Sequence, residues 1–471
     1  MPTFYRPDDG VAADFIPFYW NGDFHLFYLK DYRDAPGHGE GTPWFHVATK
    51  DFVTFEDWGE ALPRGEKDDQ DLWVFTGSVI EREGTFHIFY TGHNSHFCNT
   101  DKPVQVVMHA TSPDLLTWKK DTSFVFAAPQ DEYEKDDWRD PFVFWNAEAK
   151  EYWMLLAARR KSVAPSRNRG CTALAASPDL AQWEVRPPFW APDEYFTHEC
   201  PDLFHFGGWW YVVYSTFTDR CVTHYRAGRS LAGPWLCPSN DTFDGRAFYA
   251  AKTASDGNKR FVFGWLPTRQ GDKDDGGWQW GGNLVVHEVL PQRDGTLAVH
   301  PPKTVVAPFN RLVPLSPKPV LGQWSIDRYG MTTNAAGRFA ALECGTLPDE
   351  CYLRTTVTFK RWTQSCGLFL RSDGDFNSYY QVRLEPNSGR MVIDRWPRPG
   401  DQPFMVERSM NLRGGYPVEL QVLVDGTCLV VYANDQVALS CRMYDHPTGT
   451  FGVFVNEGEA SFQKTMLRIK E

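Results

Sequence analysis

Three carboxyl side chains stand at the heads of aromatic, strand-forming stretches: Asp14 before Phe15-Ile16-Pro17, Asp140 in Trp138-Arg139-Asp140-Pro141-Phe142-Val143-Phe144, and Glu199 in Thr197-His198-Glu199-Cys200-Pro201-Asp202-Leu203-Phe204. Two carboxyls flanking one bond are what glycoside hydrolysis requires, one protonated as general acid and the other ionised as nucleophile or base. A third can orient sugar hydroxyls. Glu199 precedes Cys200-Pro201, and a proline forces its predecessor into an extended conformation and withholds a ladder donor, so regular pairing begins only beyond it.

A repeat must position these groups. Five times the chain gives an approach strand, a turn and an aromatic strand: Phe24–Tyr28, Phe86–Tyr90, Tyr152–Leu156, Trp210–Tyr214 and Arg260–Trp265, some 50 to 66 residues apart. A second phrase follows the first four, at His46–Phe52, His109–Leu115, Ala175–Leu180 and Arg226–Leu231, each with a Trp close behind. Units of about four short strands that cannot bury both faces alone must stack on neighbours, and five of them predict a five-bladed β-propeller. The innermost strands of a propeller line one channel, so Asp14, Asp140 and Glu199 are expected at equivalent positions around one mouth. Beyond His300-Pro301-Pro302, Pro308, Pro314, Pro317 and Pro319 mark an extended connector. Period-two runs then follow, punctuated by Asp373-Gly374, Asp425-Gly426 and Asn434-Asp435, and predict an antiparallel β-sandwich. The reading is all-β: a propeller over 1–305, a linker over 306–321 and a sandwich over 322–471.

A net charge of −12 and a pI near 5.6, with no basic run, exclude a polyanionic partner such as nucleic acid and suit a neutral saccharide. No apolar run is long enough for a bilayer, and Met1–Arg6 lacks the pattern of an export signal, so the expected compartment is the cytoplasm. The ten cysteines form no CxxC pair and are expected as free thiols. No metal or cofactor is expected, and homo-oligomerisation is left open. Nineteen Trp residues offer flat faces for sugar C–H surfaces. Trp73, Phe75 and Trp280 are the candidates for an aromatic wall, with hydroxyls going to Arg139 and Asp140.

At these residues the chain resembles glycoside hydrolase family 32, the β-fructosidases. Arg139-Asp140-Pro141 matches the Arg-Asp-Pro motif and Glu199–Phe204 the Glu-Cys-Pro motif. Trp73–Ser78 resembles the Trp-x-Ser-Gly-Ser stretch, Phe248-Tyr249-Ala250 and Phe263–Leu266 the fifth blade, and Trp280–Leu284 the Gly-Trp-Ala-Gly region. The resemblance implies a retaining reaction through a fructosyl-enzyme intermediate, with Asp14 as nucleophile, Asp140 as transition-state stabiliser and Glu199 as acid/base. It also implies substrate contacts from Ser78, Cys200 and Tyr249. Departures stand at Val11–Pro17, where the family's asparagines are missing, at Leu29, and at His287-Glu288. Competing readings are an inverting, arabinanase-like furanosidase and a sugar-binding propeller without catalysis; hydrolysis and transfer are both open. Glu199 is expected to hold its proton, since Cys200, Pro201 and Phe196 solvate charge poorly and two other acids approach, while Asp140 beside Arg139 is expected to stay ionised.

Overall fold

A computed structural model describes residues 2–33, 35, 37–398, 400 and 405–471. Blade one comprises Val11–Trp20, Asp23–Asp31, Trp44–Thr49 and Glu56–Leu62, and blade two Trp73–Arg82, Thr85–His93, Gln105–Ser112 and Lys119–Phe126. Blade three comprises Tyr133–Asn146, Glu151–Arg160, Gly170–Ser177 and Glu184–Trp190. Blade four has three strands, Glu199–Phe206, Trp209–Thr216 and Val222–Gly228, and blade five has Tyr249–Ser255, Arg260–Arg269, Trp278–Pro291 and Leu297–His300. All pairing within the blades is antiparallel.

The recurring sequence phrases have local causes. Asn21-Gly22, Glu83-Gly84 and Gly207-Gly208 each take positive φ at both positions, the two-residue turn whose twist matches the flanking strands. The second phrase is a side-chain-braced turn. Ser112 Oγ accepts from Asp114 N while Asp114 Oδ1 accepts from Leu116 N and Thr117 N, and Thr49/Asp51 and Ser177/Asp179 repeat the device. In blades two and three the Trp behind it donates its indole N–H to the turn, Trp118 to Leu115 O at 3.0 Å and Trp183 to Leu180 O at 3.2 Å. Blade four, where the phrase reads Arg226-Ala227-Gly228-Arg229-Ser230-Leu231 without the aspartate, has two isolated bridges in place of an outer strand, Ala227 with Leu236 and His224 with Thr242.

Blades five and one meet through a single backbone pair, Ala12 with Gly282, reinforced by the N-terminal segment: Leu284 N donates to Tyr5 O and Asn283 Nδ2 to Phe4 O. The proline-rich connector makes one helical turn, Lys303–Val306, and then joins the sandwich. Arg311–Val313 pairs with the end of the long strand Thr450–Ile469, and Lys318–Leu321 with Gly330–Thr346, so sandwich pairing begins ahead of Gly322. Thr450–Ile469 runs through both layers, pairing Ser365–Ser372 with its first part and Glu350–Phe359 with its second. One apolar core continues from blades one, four and five into the sandwich through Tyr352, Leu423, Val430 and Tyr432. Polar contacts bind the same seam: His287 of blade five lies between Tyr432 (2.8 Å) and Asp244 (3.0 Å), and Ser440 N donates to Asp244 at 2.8 Å.

Candidate active site

The innermost strand of every blade slips register against its neighbour at the same place. The breaks fall after Ala13, Phe75, Arg139, Glu199 and Tyr249. The residue following each break is Asp14, Thr76, Asp140, Cys200 or Ala250, and all of these but Thr76 have φ between 45° and 57°. A bulge bends the strand and re-aims its side chains, and a non-glycine residue in the left-handed region costs roughly 1–2 kcal/mol. Asp14 and Asp140 are therefore register-equivalent. Glu199 is not: it stands one step earlier, in line with Arg139 and Tyr249. The expectation of three equivalent carboxyls is corrected by this offset, which gives the acids different neighbours.

The offset groups touch one another across blades. Arg139 Nη2 donates to Glu199 Oε1 at 3.1 Å, and Tyr249 OH donates to Glu199 Oε2, so both oxygens of Glu199 are held. Arg139 also donates to Gln105 Oε1 (3.1 Å), Asp137 Oδ1 (2.8 Å) and Thr197 Oγ1 (3.0 Å). Asp140 sits 3.9 Å from Arg139 Nε and accepts from Cys200 N at 2.9 Å, while its own N–H donates to Thr91 Oγ1. Asp14 accepts from Thr76 Oγ1 at 3.0 Å and Trp265 Nε1 at 3.3 Å. Arg139 thus pairs more closely with Glu199 and Asp137 than with its sequence neighbour Asp140.

Electrostatics follow from these contacts. Burial, followed by repulsion from Asp140 and Glu199, pushes Asp14 up to about 7 against the pull of Thr76 and Trp265. Burial also raises Glu199; Asp140 adds to this, and the Arg139 charge and the Tyr249 hydrogen bond oppose it. Burial keeps the Cys200 thiol neutral, well above its usual range.

A cavity of about 740 Å³ opens over this ring and is lined by Asp14, Arg139, Asp140, Glu199, Cys200 and Tyr249 together with Trp73, Phe75 and Trp280. Nine of the ten candidates meet there. Ser78 does not: it is buried, and its Oγ accepts from Val143 N at 2.9 Å, clamping blade two to blade three. The substrate contact expected of Ser78 is corrected to a structural one. His287, a departure in the fifth blade, belongs to the interdomain seam and not to this cavity.

Sequence reasoning missed Thr76, Trp265, Gln105, Asp137 and Thr197. Counting register from Asp14 would have found Thr76, and Trp265 is the strand partner of Tyr249. It also missed the loop between the second and third strands of blade one, whose Tyr32, Arg33, His38, Glu40 and Thr42 line the cavity without any period to announce them. Among the described residues no cluster of His, Cys, Asp and Glu suited to a metal ion occurs.

Comparison with known proteins decides the family. Residues 8–301 match the glycosyl hydrolases family 32 N-terminal domain, and residues 331–469 the family 32 C-terminal domain. The chain belongs to glycosyl hydrolases family 32. It is 25% identical to the raffinose invertase of Escherichia coli over 90% of this chain and 85% of that one. It is 28% identical to the levanbiose-producing levanase of Bacillus subtilis over 99% and 89%. Its fold matches the sucrose-6-phosphate hydrolase of Lactobacillus gasseri (TM-score 0.74, 19% identity, 100% of this chain and 93% of that one). It also matches a fructan 1-exohydrolase of Cichorium intybus (TM-score 0.75, 17% identity, 100% and 97%). This family 32 protein is a glycosidase acting on fructosides with retention of configuration, and neither competing reading is favoured.

Proposed function

We propose that Asp14 attacks the anomeric carbon of a fructofuranosyl unit while Glu199 delivers a proton to the departing oxygen, and that Glu199 then removes a proton from the water that releases fructose. Asp140 accepts hydroxyls of the bound ring. Trp73, Phe75 and Trp280 face its C–H surfaces, and Arg139 and Tyr249 orient Glu199. The observation that carries this reading is the convergence of Asp14, Asp140 and Glu199 on one cavity, with both oxygens of Glu199 held by donors from the flanking blades. In the empty site Asp14 and Glu199 are both raised, so they titrate as a coupled pair. Thr76 and Trp265 favour the ionised form of Asp14. The cavity volume suits a short saccharide entered from one end. We place the enzyme in the cytoplasm, a compartment that suits ten cysteines all unpaired.

The test is Glu199→Gln assayed on sucrose and on an aryl β-fructoside. The amide cannot protonate the leaving oxygen, so hydrolysis of sucrose should fall by about 10²–10⁴-fold, the range for general acid catalysis. The aryl substrate, whose leaving group needs little protonation, should lose far less. Equal losses on both would remove Glu199 from the acid role.

A further inference from the structure

The sandwich carries a second cavity, of about 760 Å³, that shares no lining residue with the catalytic one among the described residues. It lies on the outer face of the sheet made by Ser365–Ser372, Tyr379–Glu385 and Arg390–Trp396. Strand alternation sorts the side chains. Tyr380, Val382 and Leu384, with Met391 and Ile393, enter the sandwich core, so Tyr379, Gln381, Arg383 and Glu385, with Asp394 and Trp396, stand on the opposite face. The outward face of a sandwich is ordinarily wet and its polar side chains exposed. Here they are sunk: Gln381 is 8% exposed and Asp394 3%, whereas Trp396 at the edge is 53% exposed.

A polar network forms the floor. Arg383 donates from Nε to Glu385 Oε1 at 2.7 Å, from Nη1 to Gln381 Oε1 at 2.8 Å and from Nη2 to Asp394 Oδ2 at 3.3 Å. Asp394 Oδ1 also accepts from Arg395 N at 2.8 Å, which fixes the carboxylate. A guanidinium has five N–H groups, so the fork keeps donors beyond these three bonds, and the two carboxylates keep lone pairs. Aromatic rings form the walls. Phe376 stacks on Tyr379 with ring centres 4.4 Å apart, Phe339 stacks on Phe454 at 5.7 Å, and Trp396 is the strand partner of Tyr379.

Donors and acceptors interleaved on a braced floor between flat apolar faces match a sugar ring, whose hydroxyls both give and take hydrogen bonds and whose C–H face is apolar. An anion would meet Glu385 and Asp394, and an apolar ligand would strip water from the network without replacing its bonds. We propose that this cavity is a second saccharide site, which holds a neutral fructan chain on Trp396 and the Arg383–Asp394 pair while other units of the chain enter the propeller. The choice of a fructan rests on the fructosidase reading above; the site itself does not. Tethering raises the effective concentration of chain at the catalytic cavity, so the site serves long substrates and is indifferent to sucrose.

The experiment compares the full chain with its Trp396→Ala and Gln381→Ala variants, by electrophoresis through gels containing levan, inulin or dextran and by kinetics on sucrose and on the two fructans. In a Glu199→Gln background, where the polymer survives, the chain should be retarded by a fructan and not by dextran. Each variant should weaken that retention by at least about threefold, the scale of one aromatic contact. In the active enzyme each should raise KM on the fructan by a similar factor and leave kcat/KM on sucrose at the parent's value. Retention that neither variant changes overturns the site, as does retention by dextran alone. Equal losses on sucrose and fructan overturn it too, because they place the effect in the fold or the catalytic cavity. Fructan retention that the variants weaken, in a parent that cleaves no fructoside, supports the site and overturns only the catalytic reading.

Discussion

Two buried aspartates in this protein have opposite fates. Asp14, at the channel mouth, is raised to about 7, because burial and the nearby Asp140 and Glu199 outweigh the donors Thr76 and Trp265. Asp244, in the interdomain seam, is buried too, yet it is held below the usual carboxylate range. There the hydrogen bonds of His287, Ser440 and Gly245 overcome the burial penalty. Depth in the protein therefore does not mark a reactive group. Asp14 differs in incomplete satisfaction: it is left among like charges with few donors, which is unfavourable for folding and would suit the nucleophile role proposed for it above.

That contrast can be broken by exchange of single atoms. The largest effect is expected from Asp14→Asn, which should lower kcat on sucrose by about 10⁴-fold or more, on the scale of losing one member of a catalytic unit. The same change should stabilise the fold at alkaline pH. The folded value of Asp14 lies above its unfolded one, so its burial costs nothing below about pH 4, costs more as pH rises through that window, and costs fully above about 7. Thermal melts of the Asn variant should exceed the parent at pH 8, by about 1–3 kcal/mol after allowing for water in the cavity, and should match it at pH 4. A variant less stable at pH 8 would mean that Asp14 is satisfied after all.

Asp244→Asn should do the reverse. Breaking a buried, hydrogen-bonded pair typically costs about 3–5 kcal/mol. Because the folded value of Asp244 is depressed, its contribution is present above the unfolded carboxylate range and is lost as pH falls through the folded value. Denaturant midpoints should drop at neutral pH while kcat on sucrose stays near the parent's. Loss of turnover in a folded variant would tie the seam to the chemistry.

A subtler expectation concerns the pH profile. The acidic limb of kcat/KM reports the free enzyme, so it should fall near neutrality and not near the ordinary aspartate value of about 3.9. A limb near pH 4 would show that the repulsion from Asp140 and Glu199 is relieved in solution. The smallest effect is expected from Thr76→Val. It removes one donor, worth about 1 kcal/mol net, from the ionised form of Asp14 and should move that limb to higher pH. Movement toward lower pH would contradict the hydrogen-bond assignment.

Much of this was legible in the sequence because a repeat carries its own register. The aromatic strands, the Gly turns and the Asp-braced turns recur with side-chain reasons that survive in one dimension. The five blades and the sandwich follow from them, and nine of the ten candidate site residues, some reached through the family resemblance, line the cavity. What failed was finer than a repeat can encode. Aligning Glu199 with Asp14 and Asp140 was one residue out, because the bulge that separates Arg139 from Asp140 has no composition of its own. Ser78 was expected as a ligand contact because Trp73–Ser78 resembles a family stretch, but its Oγ meets the Val143 N–H of the next blade. The loop from Tyr32 to Thr42 was invisible for a different reason. It has neither period nor motif, and its place at the cavity comes from contacts to blade two, Glu40 with His96, and to blade five, Arg33 with Thr268.

The five bulges carry one further consequence. The left-handed backbone recurs at Cys200 and Ala250, where no carboxyl needs to be aimed, as well as at Asp14 and Asp140. Its cost is thus a property of the ring and not of the reaction. A side chain at any of the four left-handed seats meets the same backbone cost whatever its chemistry. Two of these seats hold acids, one a thiol and one a methyl group. The identity of the occupant, not the backbone, therefore separates the acid seats of blades one and three from the thiol and methyl seats of blades four and five.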